Sequence, residues 1–401
     1  MLSANNNART SAHKWLRCTA AAFAFCALLP AARAQNPTPP LLDAALQTAT
    51  PGMIVDLHGA SAYQYINQNP NQLGFTPGTL IYSDDPETVR DHGVLYRTPV
   101  PAGDTRVYGY HVNGMTAASK FTTVLQNAGT GEAVISFARK SLPTPSGNYF
   151  NVGKQAALQY YENINVPPPI TLLPGAAAVM DPALDALSLS NNQLVSAQYD
   201  FASDQPLTVT TLMLPAAANT LATFATAPLS TGDTHNRQGT FPNWGKHNAT
   251  AYNYTTTQHV RSLRLGDGQN WTDSYVTGTD HERGVATTLR GNFGVTYKIN
   301  IWVNGTDGRR LAVLLNPRGG GYAGYMVTTY NGVRQGQLHP STALNVALQS
   351  QATVCALLQP AAAPQLLTIE WMPPGASNMP VEILLVPYSG AASVDDWALH
   401  R

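Results

Sequence analysis

Two short stretches carry side chains of the types that do chemistry. In "VDLHG" (55–59), period-two alternation would set Asp56 and His58 on the same face of a strand. A carboxylate beside an imidazole suits a metal ion or an acid–base pair. The plainer account is a first strand with its polar residues turned to water. In "TDHERG" (279–284), Asp280, His281 and Glu282 are consecutive. Neighbours on a strand point to opposite faces, so these three converge only through a bulge or a turn, and a solvated turn is the default. These five are the candidate catalytic residues. The common chemical signatures are missing: there is no HExxH, no HxH, no GxSxG elbow and no Walker loop. Neither a metal nor a cofactor is expected.

Candidates for ligand contact are aromatic. Trp244, Tyr252, Tyr254 and Trp271 fall in one segment rich in Asn, Thr and Gln. Flat rings beside amides suit stacking on a glycan, although the same composition also describes ordinary sheet core and turns. "NPRGGGYAGY" (316–325) is glycine-rich enough to suggest a phosphate loop. Such loops present backbone amides at a helix N-terminus, whereas "YMVTTYNG" from Tyr325 onward reads as a strand. A loop crossing between strands is expected instead, with Arg318 and Tyr322 placed to touch a ligand.

Strands must position these residues. Charged residues make up only 11% of the 401-residue chain, too few for many long salt-bridged helices. In "VYGYHVNG" the side chains of Tyr108, Tyr110 and Val112 share one face of a strand; in "INIWVNG" those of Ile299, Ile301 and Val303 do the same. Asn-Gly follows each run, predicting a hairpin, and an apolar run follows each turn. Upstream, "GVLYR" (93–97) is echoed by "GVTYK" (294–298). Matched features in the same order imply a repeated sandwich domain. "LTVTTLML", "LLTIEWM" and "VEILLV" read as further strands, the last two as a hairpin across "PPGASNMP". One helix is expected in "GKQAALQYYEN" (153–163), ending before prolines. The predicted fold is all-β: two tandem antiparallel β-sandwich-like domains with one short helix in the first. The first domain spans 51–215, a linker 216–238 and the second domain 239–390, with a tail over 391–401.

The opening residues read as an export signal. Lys14 and Arg17 precede a short apolar run, Thr19–Leu29, and Ala32-Arg33-Ala34 offers a cleavage site before Gln35. The apolar run is about half of what a spanning helix needs, and the product is not expected to span a membrane. Residues 1–34 are therefore the expected signal and 35–50 an extended tether. Loss of Arg9, Lys14, Arg17 and Arg33 leaves 19 of the 23 Lys plus Arg against 23 Asp plus Glu. That balance is too weak to indicate nucleic acid as a partner. Cys18 and Cys26 depart with the signal. Cys355, in "QATVCALL", is left as a buried, inert thiol.

"YSDDPETV…GVLYR" (82–97), then "VYGYHVNG…FTTVLQN", resembles an uncharacterised family of secreted bacterial envelope proteins with recurring "SDxPE", "GxLYRD" and "YHHxNG" elements. "QGTFPN", "LLNPRGGGYAG" and "WMPPGASNMPVEILLVP" resemble the second half of that group. Relatives often carry a copper amine oxidase-like N-terminal domain, which this chain lacks. The chain also departs from the family at "YGYHVNG", where a second His is favoured. The resemblance implies two β-sandwich-like domains at the cell surface or in the periplasm, and it names no activity. The expected role is a non-catalytic envelope or extracellular protein that binds or builds, with a cell-envelope glycan or another envelope protein as partner. The alternative is an extracytoplasmic hydrolase acting on glycans or peptides.

Overall fold

A computed structural model describes residues 38–60, 73–233, 237–270 and 272–389. The expected signal and its cleavage site, the start of the tether, Trp271 and the tail lie outside them. Period-two alternation builds about half of the described residues into strands, and the all-β class holds, with only four helices among the described residues. One of these is the expected helix, Tyr149–Glu162, which buries Ala156, Ala157 and Tyr160.

Three sheets form. The central one has fourteen strands. Along its main path the order is Val333–His339, Gly324–Tyr330, Gln365–Trp371, Thr296–Asn304, Gly239–Asn248, Leu73–Ser83, Gly103–Asn113, Leu194–Ser203, Ala133–Ser141 and Ile170–Leu172. Four strands (Gly93–Val100, Leu207–Pro215, Ser119–Asn127, Ala177–Val179) cover one half of it, and five (Ile54–Asp56, Gln351–Leu358, Arg310–Pro317, Val381–Tyr388, Arg261–Leu265) cover the other. Each cover encloses a core. Ile81, Val107, Tyr199 and Phe201 pack with Leu95, Phe121 and Val209 under the first cover. Leu80, Tyr108, Ile299, Ile301 and Trp371 pack with Val313, Leu315 and Ile383 under the second. Alternate residues of the shared strands thus feed different cores, which is why Gly103–Asn113 is buried on both faces over most of its length.

Two cores do not make two separate sheets. Gly239–Asn248 from the second half pairs with Leu73–Ser83 from the first, so one sheet runs through both. The expectation of two independently closed sandwiches is corrected in that respect. Strict antiparallel pairing also fails at the junction, where Leu73–Ser83 runs parallel to Gly103–Asn113 and Gly239–Asn248 runs parallel to Thr296–Asn304. The cause is the path of the chain: between Leu73–Ser83 and Gly103–Asn113 it visits the cover strand Gly93–Val100, and a crossover of this kind returns the next strand parallel.

The Asn-Gly echo is real but is not a hairpin. Gly103–Asn113 lies in the central sheet and the following strand, Ser119–Asn127, in its cover; Thr296–Asn304 and Arg310–Pro317 repeat that step in the second half. Each Asn-Gly is an arch from the central sheet to a cover. At the first arch the Asn113 side chain accepts from the Met115 amide (3.0 Å) and donates to the Leu189 carbonyl (2.9 Å). Gly114 is needed for closeness, since a Cβ there would come within 2.9 Å of the Val89 carbonyl oxygen. The upstream echo fails, because "GVLYR" lies in a cover strand while "GVTYK" leads into a central one. Gln365–Trp371 and Val381–Tyr388 likewise lie in different sheets and form no hairpin.

Two boundaries also move. Pro40–Leu46, within the expected extended tether, is helical, and its Leu42 and Leu46, four apart, bury together against the second cover. Ile54–Asp56, assigned by position to the first half, pairs with Gln351–Leu358 of the second. Within the expected linker, Thr220–Thr223 forms one helical turn, and Thr231 binds the Asp91 carboxylate.

Cys355 sits 1% exposed in the second core, and burial pushes its thiol well above the usual range. A chain processed at Gln35 should therefore show no thiol reactive toward Ellman's reagent at pH 8 while native. One thiol should appear on unfolding in guanidinium. Rapid labelling of the native protein would contradict this burial.

Candidate functional site

An opening lies where the two halves meet. A cavity of about 830 Å³ is lined by Tyr82, Asp84, Glu87, Tyr110 and Asn148–Phe150 from the first half. From the second half and the end of the expected linker come Arg237, Tyr275, Arg290, Phe293 and the 375–379 loop.

Local structure explains each placement. Tyr82 belongs to Leu73–Ser83, and Asp84 follows that strand directly. Ser83 anchors this end, its hydroxyl meeting His111 Nε2 and Thr211 Oγ1, each at 2.9 Å. Asn148 caps the helix Tyr149–Glu162 by accepting from the Asn151 amide (3.1 Å), which sets Tyr149 and Phe150 at the mouth. The 375–379 loop approaches so closely that only glycines fit. A Cβ on Gly375 would lie 2.6 Å from the Tyr110 ring, and one on Gly153 of the helix would collide with the Gly375 carbonyl oxygen.

Asp84 is the chemically distinctive group. It is 1% exposed; Tyr82 donates to its Oδ2 at 3.2 Å, and Arg237 Nε lies 3.2 Å from the same oxygen, close enough for charge attraction though not aligned as a hydrogen bond. Its Oδ1 has no hydrogen-bond partner among the described residues. Burial pushes the Asp84 carboxyl well above the carboxylate range, and Arg237 only partly opposes this. Arg237 also donates to Glu87 Oε2 at 2.7 Å, so one guanidinium serves two carboxylates. Burial works against that charge, but Asp84 and Glu87 hold the guanidinium pKa above its ordinary value. Behind them, Arg283 bridges Asp85 and Asp280. The Asp233 amide donates to Asp85 (2.6 Å), and Asp233 accepts from the Glu87 amide (3.1 Å).

None of the sequence candidates among the described residues lines this cavity. The strand Ile54–Asp56 ends at Asp56, and His58 follows in a turn with a left-handed φ of 47°, its amide donating to Asp56 Oδ1 at 2.7 Å. The two therefore do not share a strand face; they make a solvated turn, with ring and carboxylate 3.9 Å apart. Asp280 is buried and accepts from the Glu282 (3.0 Å) and Arg283 (3.2 Å) amides, closing its own turn, while His281 points to solvent. The three do not converge. Among the described residues, no group of three or more His, Cys, Asp or Glu could hold a metal ion.

The aromatic candidates are mostly core. Tyr254 and Tyr322 are buried, Tyr322 accepting from Trp371 Nε1 at 2.9 Å, and Tyr252 packs in the same cluster. Trp244 lies under the Arg106 guanidinium, 4.9 Å from centroid to Cζ. Arg318 lies 3.8 Å from buried Glu382. Flatness and neighbouring amides mark sheet core as readily as they mark a binding face, and here the sheet took them. What sequence reading passed over was "YSDDPETV" itself, noted only as a motif. In it Tyr82 and Asp84, two apart at a strand end, face one side, and that spacing was the available signal.

A scan against protein-family models and a search of curated proteins each give no match. Among solved structures, the secreted serine protease VesC of Vibrio cholerae aligns at 8% identity and a TM-score of 0.18, over 80% of this chain and 51% of that one. A Paenibacillus xanthan lyase aligns at 9% and 0.17, over 78% and 25%. Hazelnut vicilin aligns at 10% and 0.13, over 79% and 85%. This chain thus spans about half of the protease and a quarter of the lyase. Similarity this low carries no argument about fold or function. No helix among the described residues is long and apolar enough to cross a membrane.

Proposed function

We propose that this is an exported, non-catalytic binding protein of the cell envelope or extracellular space, and that its seam cleft holds a glycan. The observation that carries this reading is the convergence of partly exposed rings from both halves (Tyr149 and Phe150 from one, Tyr275 and Phe293 from the other) on a single cavity. Apolar walls with a few polar groups are the usual composition of a small-molecule site, and seams between packed units are where such sites form. Flat rings offer stacking faces to a sugar ring, and Asn148 and Asn378 supply amide groups in the same cavity lining. The export signal read from residues 1–34 would deliver the protein to where envelope glycans are.

Binding is favoured over catalysis because Asp84 and Glu87 are both tied to Arg237. One observation supports the hydrolase alternative: Asp84 is buried with its carboxyl pKa raised, beside the more exposed Glu87, and two acids in contrasting environments are the pattern of an acid–base pair. Turnover of any bound oligosaccharide, abolished by Asp84→Asn with binding retained, would establish that alternative.

Calorimetry against neutral, acidic and amino oligosaccharides tests the binding reading. Saturable binding to at least one class is expected, and Tyr149→Ala and Tyr275→Ala should each weaken it about fivefold, or roughly 1 kcal/mol, with the melting temperature little changed. No saturable binding across the panel would overturn the proposal.

A further inference from the structure

We infer that the cleft recognises a protonated amine on its glycan, that is, an unacetylated amino sugar, seated against Oδ1 of Asp84 and the neighbouring tyrosine faces. This rests on the glycan reading above and specifies the sugar.

Charge arithmetic within the cluster is the first support. Asp84, Asp85, Glu87 and Asp280 are joined through two guanidinium groups, those of Arg237 and Arg283. Carboxylates outnumber the cations that hold them, so this side of the cleft is short of positive charge. The second support is the orphaned oxygen. Asp84 lines the cavity, its Oδ1 is shielded from solvent and has no partner among the described residues, and a buried acceptor without a donor is costly to keep. A donor arriving with the ligand removes that cost. An ammonium brings three donors and the missing charge together.

The surroundings select the same group. Tyr82 and Tyr110 stand with Asp84 and Glu87 on this wall, and the negative charge of both carboxylates reaches the Tyr110 phenol. Aromatic faces beside carboxylates attract cations through the ring quadrupole as well as through charge. A divalent ion fits less well, since Arg237 and Arg283 already occupy the cluster and no three ligands among the described residues are arranged around one point. Arg290, the other cation on the cleft, is exposed near Tyr275, where water screens its charge.

The test uses the full processed chain and two probes of equal length, a glucosamine hexasaccharide and its fully N-acetylated form, titrated calorimetrically at pH 6 where the sugar amines carry charge. The glucosamine oligomer should bind at least tenfold tighter, and Asp84→Asn, which keeps the shape and removes the carboxyl group that an adjacent ammonium would hold ionised against its burial, should abolish the preference. If Asp84→Asn does not fold, Glu87→Gln at the more exposed carboxylate should reduce the preference at least threefold. Equal or tighter binding of the acetylated oligomer overturns the amine inference and leaves the glycan reading standing. Failure of both hexamers while another oligosaccharide binds overturns only this inference. Failure of every glycan overturns both.

Discussion

Arg106→Met is expected to destabilise the protein by about 3–5 kcal/mol, the range for breaking a buried ion pair from one side. Arg106 is 2% exposed and Asp200 5%, and the guanidinium meets the carboxylate through two bonds of 2.7 and 2.8 Å. Tyr160 donates to the same carboxylate at 2.8 Å. From the second half, the Trp244 (2.9 Å) and Gly294 (2.7 Å) carbonyls accept from Arg106 Nη1. The guanidinium lies between the Tyr160 and Trp244 rings, 5.0 and 4.9 Å from their centroids. Met would fill much of the volume but leave Asp200 charged and two carbonyls without donors. Arg106→Lys should recover less than half of the loss, because an ammonium cannot span both carboxylate oxygens and both carbonyls. Urea unfolding monitored by fluorescence measures this. A loss under 1 kcal/mol for Arg106→Met would mean that the two halves are not held by this residue. The second half has a comparable knot of its own, with Lys246 2.6 Å from Asp273 and Tyr297 donating to that carboxylate at 2.6 Å.

How much of this was legible depended on whether a local rule decided it. Alternation placed Tyr108, Tyr110, Val112, Ile299, Ile301 and Val303 correctly, and all six are buried, because period two is a property of a single strand. Sheet membership is not. Asn-Gly marks a reversal, but whether the next strand returns beside the first or crosses to a facing sheet depends on long-range packing, and both arches here cross. The same limit hid the site. Tyr82 and Asp84 lie far in sequence from Arg237 and Tyr275, and only the shared central sheet brings them to one seam. The Asp56–His58 and Asp280–Glu282 groupings failed for a local reason: each acid side chain is used to close its own turn through backbone amides, as Asp does readily outside regular structure. Burial of Tyr254 and Tyr322 shows why aromatic composition alone cannot tell a stacking face from a core.

Acid should unfold the protein through two histidines before it reaches most of the carboxylates. His111 and His339 are both fully buried, and burial lowers their pKa values to about 4 and about 3. His111 sits between the Ser83 hydroxyl (2.9 Å) and the Pro86 carbonyl (2.8 Å), against the Phe121 ring, with Asp85 and Asp233 near enough to soften the shift. His339 has no hydrogen-bond partner among the described residues at either ring nitrogen, and the charge it feels is the Lys154 ammonium, which donates to Pro340 and Ala343 carbonyls at 3.0 Å. Because the folded pKa is depressed in each case, the contribution is complete above the unfolded value of about 6.5 and is lost as pH falls through the interval below it. In that interval the unfolded chain binds two more protons than the folded one, and the loss from pH 6.5 to 4.5 should be roughly 4 kcal/mol. Asp84 works in the opposite direction, since its raised pKa lets the folded state take up a proton as pH falls. Carboxyls with lowered pKa values, such as Asp181 and Asp185, add their losses mainly below pH 4. The histidine part is isolated by comparison with His111→Asn/His339→Leu, titrated in urea at pH 6.5, 5.5 and 4.5. The parent chain should lose stability faster than the double variant by about two protons' worth of slope, near 2.7 kcal/mol per pH unit at its steepest. Parallel curves would show that these imidazoles are hydrated or already charged in the folded protein, and the burial of both would have to be abandoned.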